Sequence, residues 1–157
     1  MQKIAPCLWF DGNAEEAARF YASVFADSRI ATTLHYTDAG PGPKGGVLAI
    51  TFEIEGQEFM ALNGGPQFPF TPAISLFVHC GSQEEIDRYW SKLVDGGTPW
   101  QCGWLQDRFG VSWQIVPDAL GQMLRDPDSA KASRVMQAMM QMVKLDLAQL
   151  EQAYRGG

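Results

Sequence analysis

The most constraining feature of this chain is an internal echo. Residues Asp11–Phe25, DGNAEEAARFYASVF, return without a gap as Cys80–Val94, CGSQEEIDRYWSKLV. Gly12 falls on Gly81, Glu15 on Glu84, Glu16 on Glu85 and Arg19 on Arg88, and the aromatic pair Phe20–Tyr21 falls on Tyr89–Trp90. Each copy follows a short apolar run and opens with a helix-start signal. A chain that repeats one element at this spacing is built from two similar halves, and such halves share the work of building a ligand site.

The flanking residues extend the repeat. Ile4–Phe10 is a short apolar run that predicts a buried strand. Asn13, with Glu16 three residues on, predicts a capping box at the start of a helix whose apolar stripe is Ala14, Ala17, Ala18, Tyr21 and Phe25. Arg29–Tyr36 is rich in β-branched and aromatic residues, and Val47–Ile54 and Phe59–Leu62 flank a hairpin at Gly56-Gln57. The second half repeats this order. Ala73–Cys80 reads as a strand, Ser82 and Glu85 as a second capping box, and Gly96-Gly97 as a helix stop. Thr98–Trp104 and Trp113–Val116 read as strands about a turn at Asp107–Gly110. The Gly/Pro-rich stretch Asn63–Pro72 is the expected join. Ser129–Ala153 has no Gly or Pro and predicts a long helix, with Val135, Met139, Met142, Val143, Leu147, Leu150 and Tyr154 at helical spacing. Such a Met stripe suits packing, against the sheet or a second subunit.

Composition narrows the function. A net charge of −6 with no Lys/Arg cluster argues against nucleic acid as principal partner. No apolar run is long enough to span a bilayer, and Met1–Phe10 lacks signal-peptide character, so a cytoplasmic protein is expected. Cys7, Cys80 and Cys102 form no CxxC unit and read as reduced, buried thiols. Gly40-Pro-Gly-Pro-Lys-Gly45 matches GxGxxG, but a strand follows it rather than the helix that a dinucleotide site needs, so it reads as a surface loop near a pocket mouth. His35 and His79, the only histidines, lack a second ligand at metal-pair spacing. No serine sits in a nucleophile elbow. Of five tryptophans, Trp90 matches Tyr21 and reads as core, whereas Trp9, Trp100 and Trp104 fall on strands or their ends and can line a concave sheet.

Three stretches, PCLWFDGNAEEAARFYASVF (Pro6–Phe25), ISLFVHCGSQEEIDRYWSKL (Ile74–Leu93) and DRFGVSWQIVP (Asp107–Pro117), resemble the PhnB-like branch of the vicinal oxygen chelate superfamily, the glyoxalase/bleomycin-resistance fold. The C-terminal stretch from Asp126 looks like the helical tail common in that branch. The resemblance implies an α+β fold in which two βαβββ modules form a curved mixed sheet around a cleft, with a C-terminal helical extension, usually as a homodimer. The modules are expected at about 3–63 and 73–117, with the tail at about 118–155. Members often carry the label 3-demethylubiquinone-9 3-methyltransferase. The residues do not support that activity, since no strand–Gly-loop–helix unit is present to hold a methyl-donor cofactor.

Metal-dependent members of the superfamily bind through His, Glu or Gln on the first and fourth strands of each module. The corresponding positions fall near Ala5 or Pro6, Met60, Ser75 and Gln114. A slip of one residue brings in Cys7, Ala61, Ile74 or Leu76, and Trp113 or Ile115. Neither register supplies the several N/O donors a divalent ion needs, so no metal and no cofactor are expected. The function implied is metal-independent binding of a small molecule. By face alternation, the cleft candidates are Cys7, Trp9, Met60, Phe77, His79 and Gln114, with Trp104 near the mouth. The competing reading is a lyase, isomerase or dioxygenase, which would place His79 or His35 near Glu53, Glu55 or Glu58. A third reading is an interaction protein working through the Met-rich tail.

Overall fold

The first copy of the repeat folds as the apolar pattern dictates. In the computed structural model, which describes residues 1–156, the chain divides into two units, Met1–Phe70 and Thr71 onward. The first contains β1 (Cys7–Phe10), α1 (Ala14–Val24), β2 (Ser28–His35), β3 (Val47–Ile54) and β4 (Gln57–Asn63). Its mixed sheet runs β1-β4-β3-β2, with β1 parallel to β4 and the other pairs antiparallel. Ala14, Ala17, Ala18 and Tyr21 of α1 are fully buried, and the Tyr21 ring stacks 6.2 Å from Phe52. Side-chain alternation leaves Leu8, Phe10, Ile50, Phe52, Phe59 and Ala61 in this core. The β3–β4 turn is Glu55-Gly56, one residue earlier than expected, with φ of 48° and 80°. Two consecutive left-handed residues suit the twist of a two-residue hairpin.

The expected capping box at Asn13 does not form, because its side chain makes no cap hydrogen bond. Asn63 replaces it: Oδ1 accepts from Ala14 N at 2.9 Å, while Nδ2 donates to Val47 O at 3.0 Å. The cap comes from the end of β4, far along the chain. The buried strand expected from Ile4 is also shorter, and Ile4 itself is 84% exposed.

The second unit repeats the module with β5 (Ser75–Cys80), α2 (Gln83–Val94), β6 (Thr98–Pro99), β7 (Trp104–Gln106) and β8 (Ser112–Pro117), in sheet order β5-β8-β7-β6. Here the Ser82 cap forms as expected, with Oγ accepting from Glu85 N, while Glu85 Oε1 reaches one residue further back and accepts from Gly81 N. Thr98–Trp104 is not one strand. Cys102 and Gly103 take φ of 62° and 83°, which interrupts it between β6 and β7.

The long C-terminal helix also breaks. The chain forms α3 (Asp118–Leu124), α4 (Ser129–Met140) and α5 (Leu147–Arg155). Backbone bonds made elsewhere stop α4: Cys102 N and Gly103 N donate to Met142 O and Val143 O at 2.8 Å each. The Gln83 amide donates to Leu145 O and accepts from Leu147 N, and Lys144 pairs with Asp87 at 2.7 Å. Asp146 then starts α5 by accepting from Gln149 N. Val116, Leu120, Met123, Val135, Met142, Leu145 and Leu150 form a buried cluster under the three helices. The extension is therefore a packed cap with its own core. Met136 and Met140 remain on its surface.

Candidate functional site

Register assigns the open face of each sheet. In the second unit Phe77 pairs with Gln114 and Gln114 with Trp104, so these three side chains share the face away from α2, and His79 and Val116 follow on it. The opposite face carries Cys80, Trp113, Ile115 and Leu105, all buried. On the open face, Gln114 Nε2 donates to Ser75 Oγ at 3.0 Å, which leaves the amide oxygen directed to other partners. His79 lies 4.8 Å from the Phe77 ring and its Nδ1 is 3.1 Å from Asp118 Oδ1. With Nδ1 bonded to a carboxylate, Nε2 of the neutral ring is the acceptor.

The polypeptide leaves the sheet at Pro117 and turns back over this face as α3. Between α3 and the strands lies a pocket of about 600 Å³, lined by Phe77, His79 and Gln114 from β5 and β8, by Leu120, Leu124 and Arg125 from and just beyond α3, and by Met139 of α4. That volume is within the range of pockets that enclose small organic ligands, on the order of 300–1,000 Å³. Its composition, an apolar wall with a few polar groups, also fits. Three of the residues nominated from sequence meet here. Trp104 shares their face but does not line the pocket.

The other three candidates lie together on the open face of the first sheet. Cys7 pairs with Met60, and Trp9 stands two residues along β1 on the same side. Trp9 is committed to the protein: its Nε1 donates to Gly65 O at 2.9 Å, and its ring meets Phe68 edge-on at 5.0 Å. Gly64 lies so close to that ring that a Cβ there would collide with it. A separate hollow of about 540 Å³ in this unit is lined by Asp11, Glu15, Tyr36 and the Pro41–Pro43 loop. The GxGxxG-like segment thus edges a hollow between two strands, with no helix following it.

The cysteines depart from the uniform burial expected of them. All three are free, but Cys7 is exposed and Cys102 only half-buried. Burial, then the nearby Glu85 and Asp118 carboxylates, pushes the Cys80 thiol up to about 11, and desolvation also raises Cys7. Both are therefore thiols rather than nucleophilic thiolates near neutral pH. His35 Nδ1 donates to Gly45 O, 3.0 Å away, six residues along β2 from Arg29, which holds Glu53. That separation is about 20 Å of strand, so His35 and Glu53 form no catalytic pair.

The donor chemistry does not fit a divalent metal. The open-face positions at the implied ligand sites hold Cys7 and Met60 in one unit and Ser75 and Gln114 in the other. Among the described residues no group of three or more His, Cys, Asp or Glu side chains could hold a metal ion.

The family model described as 3-demethylubiquinone-9 3-methyltransferase matches residues 2–116. Among solved structures, a PhnB protein from Bacillus cereus with the same description is 42% identical, and 74% of this chain covers 99% of it at a TM-score of 0.68. This chain belongs to the PhnB-like family. Its α+β glyoxalase-type fold also resembles protein PA1353 from Pseudomonas aeruginosa (23% identity, 74% of this chain and 98% of that one, TM-score 0.62). The fosfomycin resistance protein FosX from Listeria monocytogenes, solved with Mn(II) and sulfate, shares the fold at 16% identity and a TM-score of 0.50 over 72% of this chain and 90% of its own. No curated protein matches. The PhnB-like match ends at residue 116, so α3, α4 and α5 lie beyond it. Each sheet contains one parallel pair, unlike the parallel sheet of the usual methyltransferase cofactor site. No helix among the described residues is long and apolar enough to cross a membrane.

Sequence reasoning missed Asp118, Leu120, Leu124, Arg125 and Met139. Pro117 followed by an acidic residue was a visible helix-start signal. Nothing local indicated that this helix would fold back over the sheet.

Proposed function

We propose that this PhnB-like protein is a metal-independent binder of a small organic molecule, and that the pocket under α3 is its site. The observation that carries the reading is the meeting of Phe77, His79 and Gln114 on one apolar-walled pocket of about 600 Å³. Gln114 and the His79 Nε2 atom supply orienting hydrogen bonds, while Val116, Leu120, Leu124 and Phe77 supply the apolar contact. The protein acts in the cytoplasm as a homodimer.

The test is a ligand-observed NMR screen of a fragment collection against EDTA-treated protein and a Leu124→Trp variant. Leu124 is only half-buried, so the larger ring fills the pocket without rebuilding a core. Fragments should bind the wild type with no metal present and lose binding in the variant. Binding that requires added Mn(II) or Zn(II), or that is unchanged in the variant, would overturn the proposal.

A second reading rests on the His79–Asp118 pair. A histidine oriented by a carboxylate beside a pocket is the arrangement of a general base, suited to proton abstraction in an isomerase or lyase. His79→Gln separates the two readings: binding without any turnover to lose favours the binder, and loss of a measured conversion with binding retained favours the enzyme.

A further inference from the structure

The pocket has two walls of different origin. Phe77, His79, Gln114 and Val116 lie within the residues that match the PhnB-like family model, and the remaining wall, from Pro117 through Met139, lies beyond it. The Bacillus cereus protein is covered almost to its full length by 74% of this chain, so about a quarter of this chain has no counterpart there. The second wall is nonetheless firmly built. Leu120 is 4% exposed and belongs to the helical cluster that seals Val116, and the 142–147 segment is hydrogen-bonded to the β6–β7 loop and to Gln83.

That wall sets apolar side chains among three polar ones, Asp118 at the start of α3, Gln122 along it and Arg125 at its end. Leu120, Leu124 and Met139 face the pocket, and the only cation among its lining residues is Arg125, at the C-cap of α3. The guanidinium lies along Gly121, where an added Cβ would sit 3.1 Å from Nη1. Gly in a helix interior costs about 1 kcal/mol against Ala, and here it leaves room for the arginine at the rim. Unlike the guanidinium of Arg29, Arg108 or Arg134, that of Arg125 makes no hydrogen bond or ion pair within the described residues. The one acid in the lining, Asp118, is engaged by His79. An unpaired guanidinium beside apolar side chains is a receptor for a carboxylate on an apolar body.

We infer that the C-terminal extension gives this pocket its ligand class: a small apolar monocarboxylate, its acid group received by Arg125 and its body lying over Leu120, Leu124 and Met139. The inference rests on the binding role proposed above and adds the chemistry of the ligand. The probes are phenylbutyrate, phenylbutanol and phenylbutylamine, one apolar body with three head groups, titrated calorimetrically into the full-length protein. The acid should bind about fivefold or more tightly than the alcohol, the gain of one partly exposed charge-assisted contact, and the amine most weakly. Arg125→Gln should bring the acid down to the affinity of the alcohol, and Arg125→Lys should keep part of the preference. Leu124→Ala should weaken all three alike. Equal unfolding midpoints for the variants and wild type verify that the arginine acts on the ligand and not on the fold. Equal affinity for acid and alcohol, or a preference unchanged in Arg125→Gln, would overturn the inference while leaving the pocket a binding site. Failure of all three probes to bind also overturns it, and the fragment screen with Leu124→Trp then decides the binding role separately.

Discussion

Asp107, in the DRFG turn between β7 and β8, is 3% exposed and should be one of the costliest residues in the second unit to replace. Its Oδ1 accepts from Phe109 N at 2.8 Å and Val111 N at 3.0 Å, and its Oδ2 accepts from Trp113 Nε1 at 2.8 Å. Val111 and Trp113 are buried, so neither donor can turn to water. Asp107→Ala orphans both, at about 1–3 kcal/mol each, and also orphans the half-buried Phe109 amide. Removing the buried carboxylate relieves some desolvation, so the net loss should be about 3–5 kcal/mol. That is a large share of a typical domain stability of about 5–15 kcal/mol. Asp107→Asn keeps the Oδ1 bonds but turns an amide N–H toward the indole N–H, and should cost about 1.5–3 kcal/mol. In a Trp113→Phe background, which has no indole donor to oppose, the Asn substitution should cost at least about 1 kcal/mol less. Urea titration followed by far-ultraviolet circular dichroism measures the wild type and these four variants. A loss below about 1 kcal/mol for Asp107→Ala, or no coupling between positions 107 and 113, would refute the assignment of Asp107 as the hub that holds the β7–β8 turn and the Trp113 indole.

Other outcomes follow from the same physical reading. Gly97→Ala would drive a Cβ into Gln106 O and the Asp107 backbone, and should lower stability by about 1–3 kcal/mol on thermal unfolding. Iodoacetamide at pH 8 should modify the exposed Cys7 well before the buried Cys80, whose thiol is pushed up to about 11, and mass mapping would detect the reverse order. The Tyr154 hydroxyl donates to Asp126, raising the tyrosine pKa and lowering that of the carboxyl. The tyrosine contribution is fully present below its ordinary value of 10.0 and is lost as pH rises through the raised one. That of Asp126 is present above 3.8 and is lost as pH falls through the lowered one. Tyr154→Phe should therefore destabilise most near neutrality and least at both extremes, and a difference independent of pH would contradict the pairing.

How far the sequence reached depended on whether the forces involved were local. The α2 cap was readable because Ser82 and Glu85 serve amides within three or four residues of themselves. Strand faces were readable because alternation has a period of two, and one choice put Phe77, His79 and Gln114 on the same side. The first helix start was misread because Asn63, 49 residues from Ala14 along the chain, holds the amide that Asn13 was expected to serve. The C-terminal segment was misread for the same reason. With no Gly or Pro between Ser129 and Ala153, composition predicts an unbroken helix, and the break comes from carbonyls captured by Cys102 and Gly103. Eight of the twelve lining residues, from Pro117 through Met139, depend on α3 turning back over the sheet; Pro117-Asp118 signalled a helix start, but nothing local signalled that turn.

The central claim is that the site binds its ligand without a metal. Elemental analysis of the protein purified without added metal or chelator, paired with fragment or phenylbutyrate binding before and after EDTA, tests it most directly. The account predicts no stoichiometric Mn, Fe, Ni or Zn and identical binding on both sides of the chelator. A stoichiometric transition metal whose removal abolishes binding, with recovery when it is restored, would contradict it.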